Sequence, residues 1–306
     1  MNSTLSQWPK GQILRWITEA GAVGAGCARA CDISDGADAQ FALWLSRGDH
    51  GAMDWISRHR VLRLNPERVL PGARTVICAA FPYAPAGGWK HPQIADYALG
   101  MDYHVAIRRR LQPVAERITA QFGAMARVCI DTAPLPERYW ATMCGIGRPG
   151  RSGQLIVPGV GPGVFIATIL TTLELSADSP LRDFDPCGDC RRCIDACPGR
   201  AIRSDGTLDC RRCLSYLTIE HRGEWPENAP RRGGRVYGCD ICRRVCPHSA
   251  GGVRALDEFE PREELMGIDF GQLSAGDWRR LTRSKTMPSA MSRLPFGQLR
   301  VTLRNK

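Results

Sequence analysis

The stretch Cys187-Gly-Asp-Cys190-Arg-Arg-Cys193-Ile-Asp-Ala-Cys197-Pro198 decides how this 306-residue chain is organised. Its spacing is C-x2-C-x2-C-x3-C-P, the run with which bacterial proteins hold [4Fe–4S] clusters. Three thiolates this close in sequence wrap the corners of one cubane. The fourth is set off by three residues, is followed by Pro, and faces a second cluster. Zinc sites use two C-x2-C pairs, or such pairs with His, and this run of four departs from that pattern. A second run follows at Cys239-Asp-Ile-Cys242-Arg-Arg-Val-Cys246-Pro247. Aligned on the closing Cys-Pro, Cys246 matches Cys197, Cys242 matches Cys193 and Cys239 matches Cys190. Val236 stands where Cys187 would, so this half is one thiolate short. Cys210-Arg-Arg-Cys213 lies between the two runs and offers it. The crossing pattern assigns Cys187, Cys190, Cys193 and Cys246 to one cluster. Cys197, Cys239, Cys242 and one of Cys210 or Cys213 go to the other.

The chain holds 14 cysteines, and nine fall between Cys187 and Cys246. Of the rest, Cys78 and Cys129 read as small buried hydrophobes on strands, and Cys27, Cys31 and Cys144 are scattered. Hydrophobic residues make up 43% and charged residues 24%, which excludes wholesale disorder. Met1 to Gly11 lacks a positive segment followed by an apolar core, so no secretory signal is read there. The longest apolar stretch, residues 164–175, is well short of the roughly 20 residues that cross a bilayer. A cytoplasmic, membrane-free protein is expected. In a reducing compartment clustered cysteines favour metal over disulfides. The formal charge is +10, and residues 271–306 contribute +7 of it. A basic excess of this kind suits an anionic partner such as nucleic acid.

Outward from the cysteines, residues 1–180 read as an α/β domain. Ile13, Leu14, Trp16 and Ile17 mark an amphipathic helix that stops at the glycine-rich run 21–26. Residues 37–47 form a second helix. Residues 103–122 form a long one, with Val105, Ile107, Leu111, Val114, Ala115, Ile118 and Phe122 on its stripe. Thr75–Ala80, Ala126–Ile130, Leu155–Val157 and Phe165–Leu175 read as strands. Residues 181–255 are rich in Cys, Arg, Gly and Pro and cannot bury much apolar surface. Metal clusters would supply the missing stability. This is the expected ferredoxin-like domain with two [4Fe–4S] clusters. Residues 256–306 are expected to be a basic segment packing back on the core.

Several stretches together resemble the epoxyqueuosine reductase family. They are Cys213-Leu-Ser-Tyr-Leu-Thr-Ile-Glu-His-Arg-Gly223 and Gly238-Cys-Asp-Ile-Cys-Arg-Arg-Val-Cys-Pro247. His50-Gly-Ala-Met53 with Leu70–Ile77, the helix entry Asp102-Tyr-His104, and Ile130-Asp131-Thr-Ala-Pro134 with Glu137 and Ala141 agree. So does the tail, Ser289-Ala-Met-Ser-Arg293 with Leu303-Arg-Asn305. The family's G-W-I-G-K segment is replaced here by Gly147-Arg-Pro-Gly-Arg151, placed at the corrin or substrate pocket.

The resemblance implies reduction of epoxyqueuosine to queuosine in the anticodon loop of tRNA, with cobalamin beside the clusters. It selects Cys213 as the eighth ligand and leaves Cys210 spare. It makes Asp131 the general acid and a cofactor neighbour, puts Ser215 near the cofactor, and makes His221 and Arg222 tRNA contacts. Arg231, Arg232, Arg235, Arg243 and Arg244 are further candidates for phosphates. An Asp with an ordinary pKa near about 3.9 is ionised at neutral pH, so Asp131 needs an upward shift to act as an acid. Related corrinoid reductive dehalogenases share this layout. The expected protein is a monomer fed by an external electron donor. Two alternatives are a corrinoid iron–sulfur reductase of a small molecule and a two-cluster electron-transfer protein. The long α/β domain argues against the last.

Overall fold

The computed structural model describes residues 3–250 and 253–305. Helix α1 (Ser3–Glu19) leads into strand β1 (Gly24–Arg29) and helix α2 (Asp35–Ser46). Strand β2 (Thr75–Pro82), helix α3 (Tyr103–Phe122), strand β3 (Ala126–Cys129) and helix α4 (Glu137–Met143) follow. Two short strands, β4 (Arg148–Pro149) and β5 (Leu155–Ile156), form a hairpin before β6 (Val164–Thr171).

The main sheet has the order β1-β2-β6-β3, and every pairing in it is antiparallel. The alternation of helices and strands read from the sequence is therefore present in its α+β form. Strand β2 is buried along its whole length because both faces of the sheet are covered. Ile77, Ala79 and Phe81 pack with Ile13, Ile17, Ile107, Leu111 and Ile118, which are the apolar faces of α1 and α3. Val76, Cys78 and Ala80 pack on the other side with Trp140, Ala141 and Cys144 from α4 and the turn after it. Cys78 and Cys129 are indeed small core residues, and Cys27 and Cys144 join them.

β1 departs from the reading of the sequence, which ended a helix in glycines and began no strand there. Gly26 explains the departure. A Cβ at that position would lie 2.0 Å from the Cys144 carbonyl oxygen. The glycines that depress strand propensity are what let this edge strand sit under the turn after α4.

Beyond the sheet the chain has little regular structure until α5 (Leu214–Ile219), then α6 (Ala275–Thr282) and α7 (Phe296–Arg304). The tail residues Phe270, Trp278, Met291, Leu294 and Leu299 form a third core with Ile94, Leu99, Ile219, Val236 and Tyr237. Val236, which broke the second cysteine run, is fully buried there. Trp278 Nε1 donates to the Leu294 carbonyl at 2.9 Å, and the Tyr237 hydroxyl donates to the Ala290 carbonyl at 2.7 Å. No helix among the described residues is long and apolar enough to cross a membrane.

A buried ion network ties the cysteine-rich region to the sheet domain. Asp96 has no exposed surface. It accepts from Arg243 and from Arg244 Nη2 (3.0 Å), and its own N–H donates to Asp240 at 2.6 Å. Arg243 is 1% exposed. It is a buried structural cation and not the phosphate-facing residue its arginine-rich context suggested. Removing one partner of such a group strands charge in a dry site at a cost of about 3–5 kcal/mol. Asp96→Ala is therefore expected to destabilise the cluster-loaded protein by that amount. Urea unfolding checks it, and a loss below about 1 kcal/mol would show that the network is hydrated.

Candidate active site and cluster domain

Eight of the nine clustered cysteines fall into two groups in space. Cys187, Cys190, Cys193 and Cys246 line one small cavity together with Arg151, Ile156 and Pro247. On the other side, the Cys242 thiol feels the charges of Cys239, Cys213 and Cys197. The chain crosses over as the spacing demands, with Cys197 leaving its neighbours and Cys246 joining them. Among the described residues no three His, Cys, Asp or Glu side chains converge on a single ion.

Backbone N–H groups point at the sulfurs. Arg151 N donates to Cys187 Sγ at 3.3 Å, and Ala201 N donates to Cys197 Sγ at 3.3 Å. Ser215 and Tyr216 aim theirs at Cys213 from the first turn of α5. Such donors are what anionic cluster sulfurs require, and they tune cluster potentials. Cys210 differs. It is buried against Leu214, Tyr216, Leu217 and Trp225, and the thiol it feels is Cys213 rather than Cys239 or Cys197.

The β4–β5 hairpin lies over the first group. A Cβ on Gly150 would come 2.7 Å from Ile156 Cδ1 and 3.3 Å from Cys187 Sγ, so glycine permits this close approach. Arg148 Nη1 donates to the Phe184 carbonyl at 3.1 Å, and Arg151 Nη2 to the Gly188 carbonyl at 2.7 Å. The two arginines that mark the departure from the family pattern thus clamp the cysteine loop. Sequence reasoning had assigned this segment to a pocket and missed the clamp.

Asp131 stands just past the end of β3. Its φ is +50°, a left-handed backbone that few non-glycine residues adopt. Its carboxylate serves no turn. Oδ2 accepts from the Tyr103 hydroxyl at 2.7 Å and lies 3.4 Å from His104 Nε2. Asp102 caps α3 by accepting from the His104 N–H at 2.9 Å, and its Oδ1 also lies 2.8 Å from His104 Nδ1. The helix entry singled out in the sequence is thereby placed beside the Asp131 segment. Glu137 Oε1, at the start of α4, accepts from the Asp131 N–H at 2.6 Å. Arg138 Nη1, next along α4, donates to the Gly153 carbonyl at 2.9 Å, so the same helix reaches the hairpin over the cysteines.

The electrostatics invert one expectation. Burial by itself raises the Asp131 pKa, but the adjacent His104 imidazole and the hydrogen bond from Tyr103 outweigh it and hold the carboxyl below its ordinary value. The upward shift required of a resting acid is absent. Burial disfavours the His104 cation, yet the carboxylates of Asp102 and Asp131 beside it overcome this and raise its pKa to about 9. Burial and the Asp131 charge raise Glu137 to about 8. At neutral pH the group therefore holds an ionised Asp131, an imidazolium and a protonated Glu137.

Beside Asp131 the sheet has a notch. β2 pairs with β6 from Val164 to Thr171, but β3 covers only Thr168 to Thr171. The edge of β6 facing away from β2 has no strand partner over residues 164–167. Val164, Phe165 and Ile166 are half-buried there. The Phe165 ring stacks on Tyr103 at 4.4 Å with 14° between planes. Such an edge offers unpaired backbone N–H and C=O groups beside half-buried apolar side chains, and a broad ring fringed with amides, as the corrin of cobalamin is, would suit both.

The remaining expected residues are less concentrated. Ser215 is half-buried on α5, beside Cys213. His221 Nε2 pairs with the Glu224 carbonyl at 2.8 Å. Arg222 spends its guanidinium on the carbonyls of Ile219, His221 and Arg293, which holds the tail in place. Arg293 pairs with Glu220 and sits 6.0 Å from the Trp55 ring. Arg63 stands over the same ring at 5.5 Å and also feels the Glu137 and Asp131 charges. Trp55 and Arg63 had no place in the sequence reading, and Arg293 was quoted there only as part of the tail motif, because only the fold brings the three to this rim.

Residues 186–249 match the 4Fe-4S double cluster binding domain, and residues 63–132 match the epoxyqueuosine reductase QueG domain, DUF1730. The epoxyqueuosine reductase of Vibrio cholerae is 36% identical over 306 aligned residues, which cover 95% of this chain and 81% of the relative. That of Gloeobacter violaceus is 38% identical, covering 81% and 80%. The structure of epoxyqueuosine reductase from Streptococcus thermophilus superposes with a TM-score of 0.75 at 26% identity, covering 99% of this chain and 80% of that one. A crystal structure of epoxyqueuosine reductase with an epoxyqueuosine-modified tRNA-Tyr stem loop superposes at 0.84 with 24% identity, covering 97% and 80%. Shared identity over most of both chains, the two domain matches and the paired cysteine groups lead to one conclusion: this chain belongs to the epoxyqueuosine reductase family.

Proposed function

We propose that this protein removes the epoxide oxygen of epoxyqueuosine at the wobble position of a tRNA anticodon, giving queuosine. The observation that carries this reading is the carboxylate–imidazole–carboxylate group at Asp131, set at an open sheet edge and linked through α4 to the hairpin over Cys187. The relative solved with a modified tRNA stem loop supports the substrate.

In this reading the division is 1–180 for cofactor and substrate, 181–255 for the clusters and 256–306 for the basic segment. The chain acts as a cytoplasmic monomer off the membrane and takes electrons from an external one-electron donor. Cys187, Cys190, Cys193 and Cys246 hold one [4Fe–4S] cluster, and Cys197, Cys213, Cys239 and Cys242 hold the other. Each cluster passes one electron at a time, so two in series can serve a two-electron reduction. Cobalamin, when bound, supplies a strongly reducing centre. The open edge of Val164, Phe165 and Ile166 offers it backbone hydrogen-bonding groups beside apolar side chains, with Ser215 as a polar neighbour. Asp131 delivers protons to the departing oxygen. His221 and the basic tail face the tRNA. Arg222 contributes by holding the tail.

Three outcomes test the reading. Asp131→Asn keeps a residue type that tolerates the left-handed backbone, so folding and both clusters should survive. Its rate of queuosine formation should fall by about 10²-fold or more. Retained turnover would remove Asp131 from the chemistry. Iron content should stay near about eight per chain in Cys210→Ala and fall to about four in Cys213→Ala; the reverse would exchange the two roles. Arg279, Arg283 and Lys285 are tail cations that make no ion pair among the described residues. Replacing all three with Ala should weaken tRNA binding. It should also flatten the slope of log affinity against log salt, by up to about 0.9 for each cation that touches a phosphate. An unchanged slope would place the tRNA elsewhere.

A further inference from the structure

We infer that His104 is the proton reservoir of the deoxygenation, held by Asp102 on Nδ1 and reloading Asp131 through Nε2. The inference rests on the epoxyqueuosine reading and assigns a role that the helix entry Asp102-Tyr-His104 did not yet have.

Four observations carry it. The Asp102 Oδ1 contact at 2.8 Å fixes the ring, so that Nδ1–H points to Asp102 and Nε2 faces Asp131. His104 Nε2 is buried and lacks a well-aligned hydrogen-bond partner, yet Asp131 Oδ2 is 3.4 Å away. A small rotation of the Asp131 carboxylate closes that gap to a proton-transfer distance. The Tyr103 ring stacks on the imidazole at 4.1 Å and restricts its tilt. Finally, Asp131 is the member of the group open to solvent, with 58% of its side chain accessible against 30% for His104. The reservoir therefore lies behind the group that meets the substrate. His104 acts through Asp131 and is a positioning and relay residue.

The chemistry balances. Two C–O bonds of the epoxide break, one C=C bond forms, and the oxygen ends as water. The step consumes two electrons, from a low-potential one-electron donor through the clusters, and two protons. One proton passes from His104 Nε2 to Asp131 Oδ2 and on to the oxygen, which leaves as hydroxide and takes its second proton from solvent on release; solvent reprotonates the imidazole once the product has gone. Asp131 need not rest in the protonated form, which reconciles its depressed pKa with proton delivery. The charged and titratable groups around the imidazole are Asp102 and Tyr103 on its own element and Asp131 and Glu137 from the β3–α4 segment. Arg293 and Arg63 act on Asp131 from the rim.

The test uses the holoenzyme with both clusters and cobalamin, epoxyqueuosine-modified tRNA, and ring-labelled histidine for NMR. The raised value keeps His104 charged through neutral pH, so kcat should fall as pH rises through about 9. Asp102→Asn keeps a good helix cap and removes the charge. It should lower the His104 NMR midpoint by more than about one pH unit and shift the alkaline limb of kcat by the same amount. His104→Gln should lower kcat about 10²-fold with KM for the tRNA within about twofold, and abolish that limb. Cluster absorption should be unchanged in both variants. An alkaline limb that persists in His104→Gln, or that follows Glu137→Gln or Tyr103→Phe instead, overturns the assignment. So does a His104 midpoint unmoved by Asp102→Asn. Wild-type turnover with any of these results sinks the relay alone. A wild-type enzyme that forms no queuosine takes the functional reading with it.

Discussion

Asp96 has no surface in contact with water, yet it accepts from two arginines, and both lie in the turn between Cys242 and Cys246. That turn carries ligands for both proposed clusters, so its position fixes how they stand against the sheet domain. Gln93 and Ala95 extend the same junction by exchanging backbone bonds with Val236 and Tyr237. A segment poor in apolar residues cannot be placed by burial. It is placed here by buried charge and by backbone pairing, which are directional. Buried ion pairs add little net stability compared with apolar packing. What this network supplies is a defined orientation, which electron transfer between fixed centres needs more than it needs kilocalories.

The sequence disclosed the parts whose information is local. The crossed cysteine pattern is a statement about spacing, and the two groups found in space follow it. The helix over 103–122 was legible because its apolar stripe repeats at helical period, and its observed bounds, Tyr103–Phe122, agree. Residues whose roles depend on tertiary neighbours were not legible. β1 was invisible because glycine at position 26 serves the approach to Cys144 and not strand propensity. Arg243 looked like a surface arginine among others, since nothing local marks it as the one facing Asp96.

The candidate site shows the same division. Asp131 could be singled out from sequence, and the helix entry beside His104 could be quoted. The 28-residue separation of Tyr103 and Asp131 closes only because α3 runs back along β3, so that the first turn of the helix meets the far end of the strand. The pKa of each group is then decided by the others. Neighbouring donors hold Asp131 down, while Asp102 and Asp131 together hold the imidazole up. Reading Asp131 alone demands an elevated acid. With its neighbours in place, the proton sits one residue back.

This arrangement has a consequence for the order of events. A carboxylate that is ionised at rest and 58% accessible is a poor proton donor in water, because solvent stabilises its charge. Covering the notch with a broad cofactor ring and then with substrate strips that solvent away. Desolvation raises the carboxyl pKa and brings it closer to that of the imidazole. Proton transfer from His104 is therefore less uphill in the filled site than in the open one. The same covering also strengthens the Asp102–His104 attraction by lowering the local dielectric, so the reservoir stays loaded while its acceptor is tuned upward. Filling the site thus arms the acid, and the empty site keeps its proton on the imidazole.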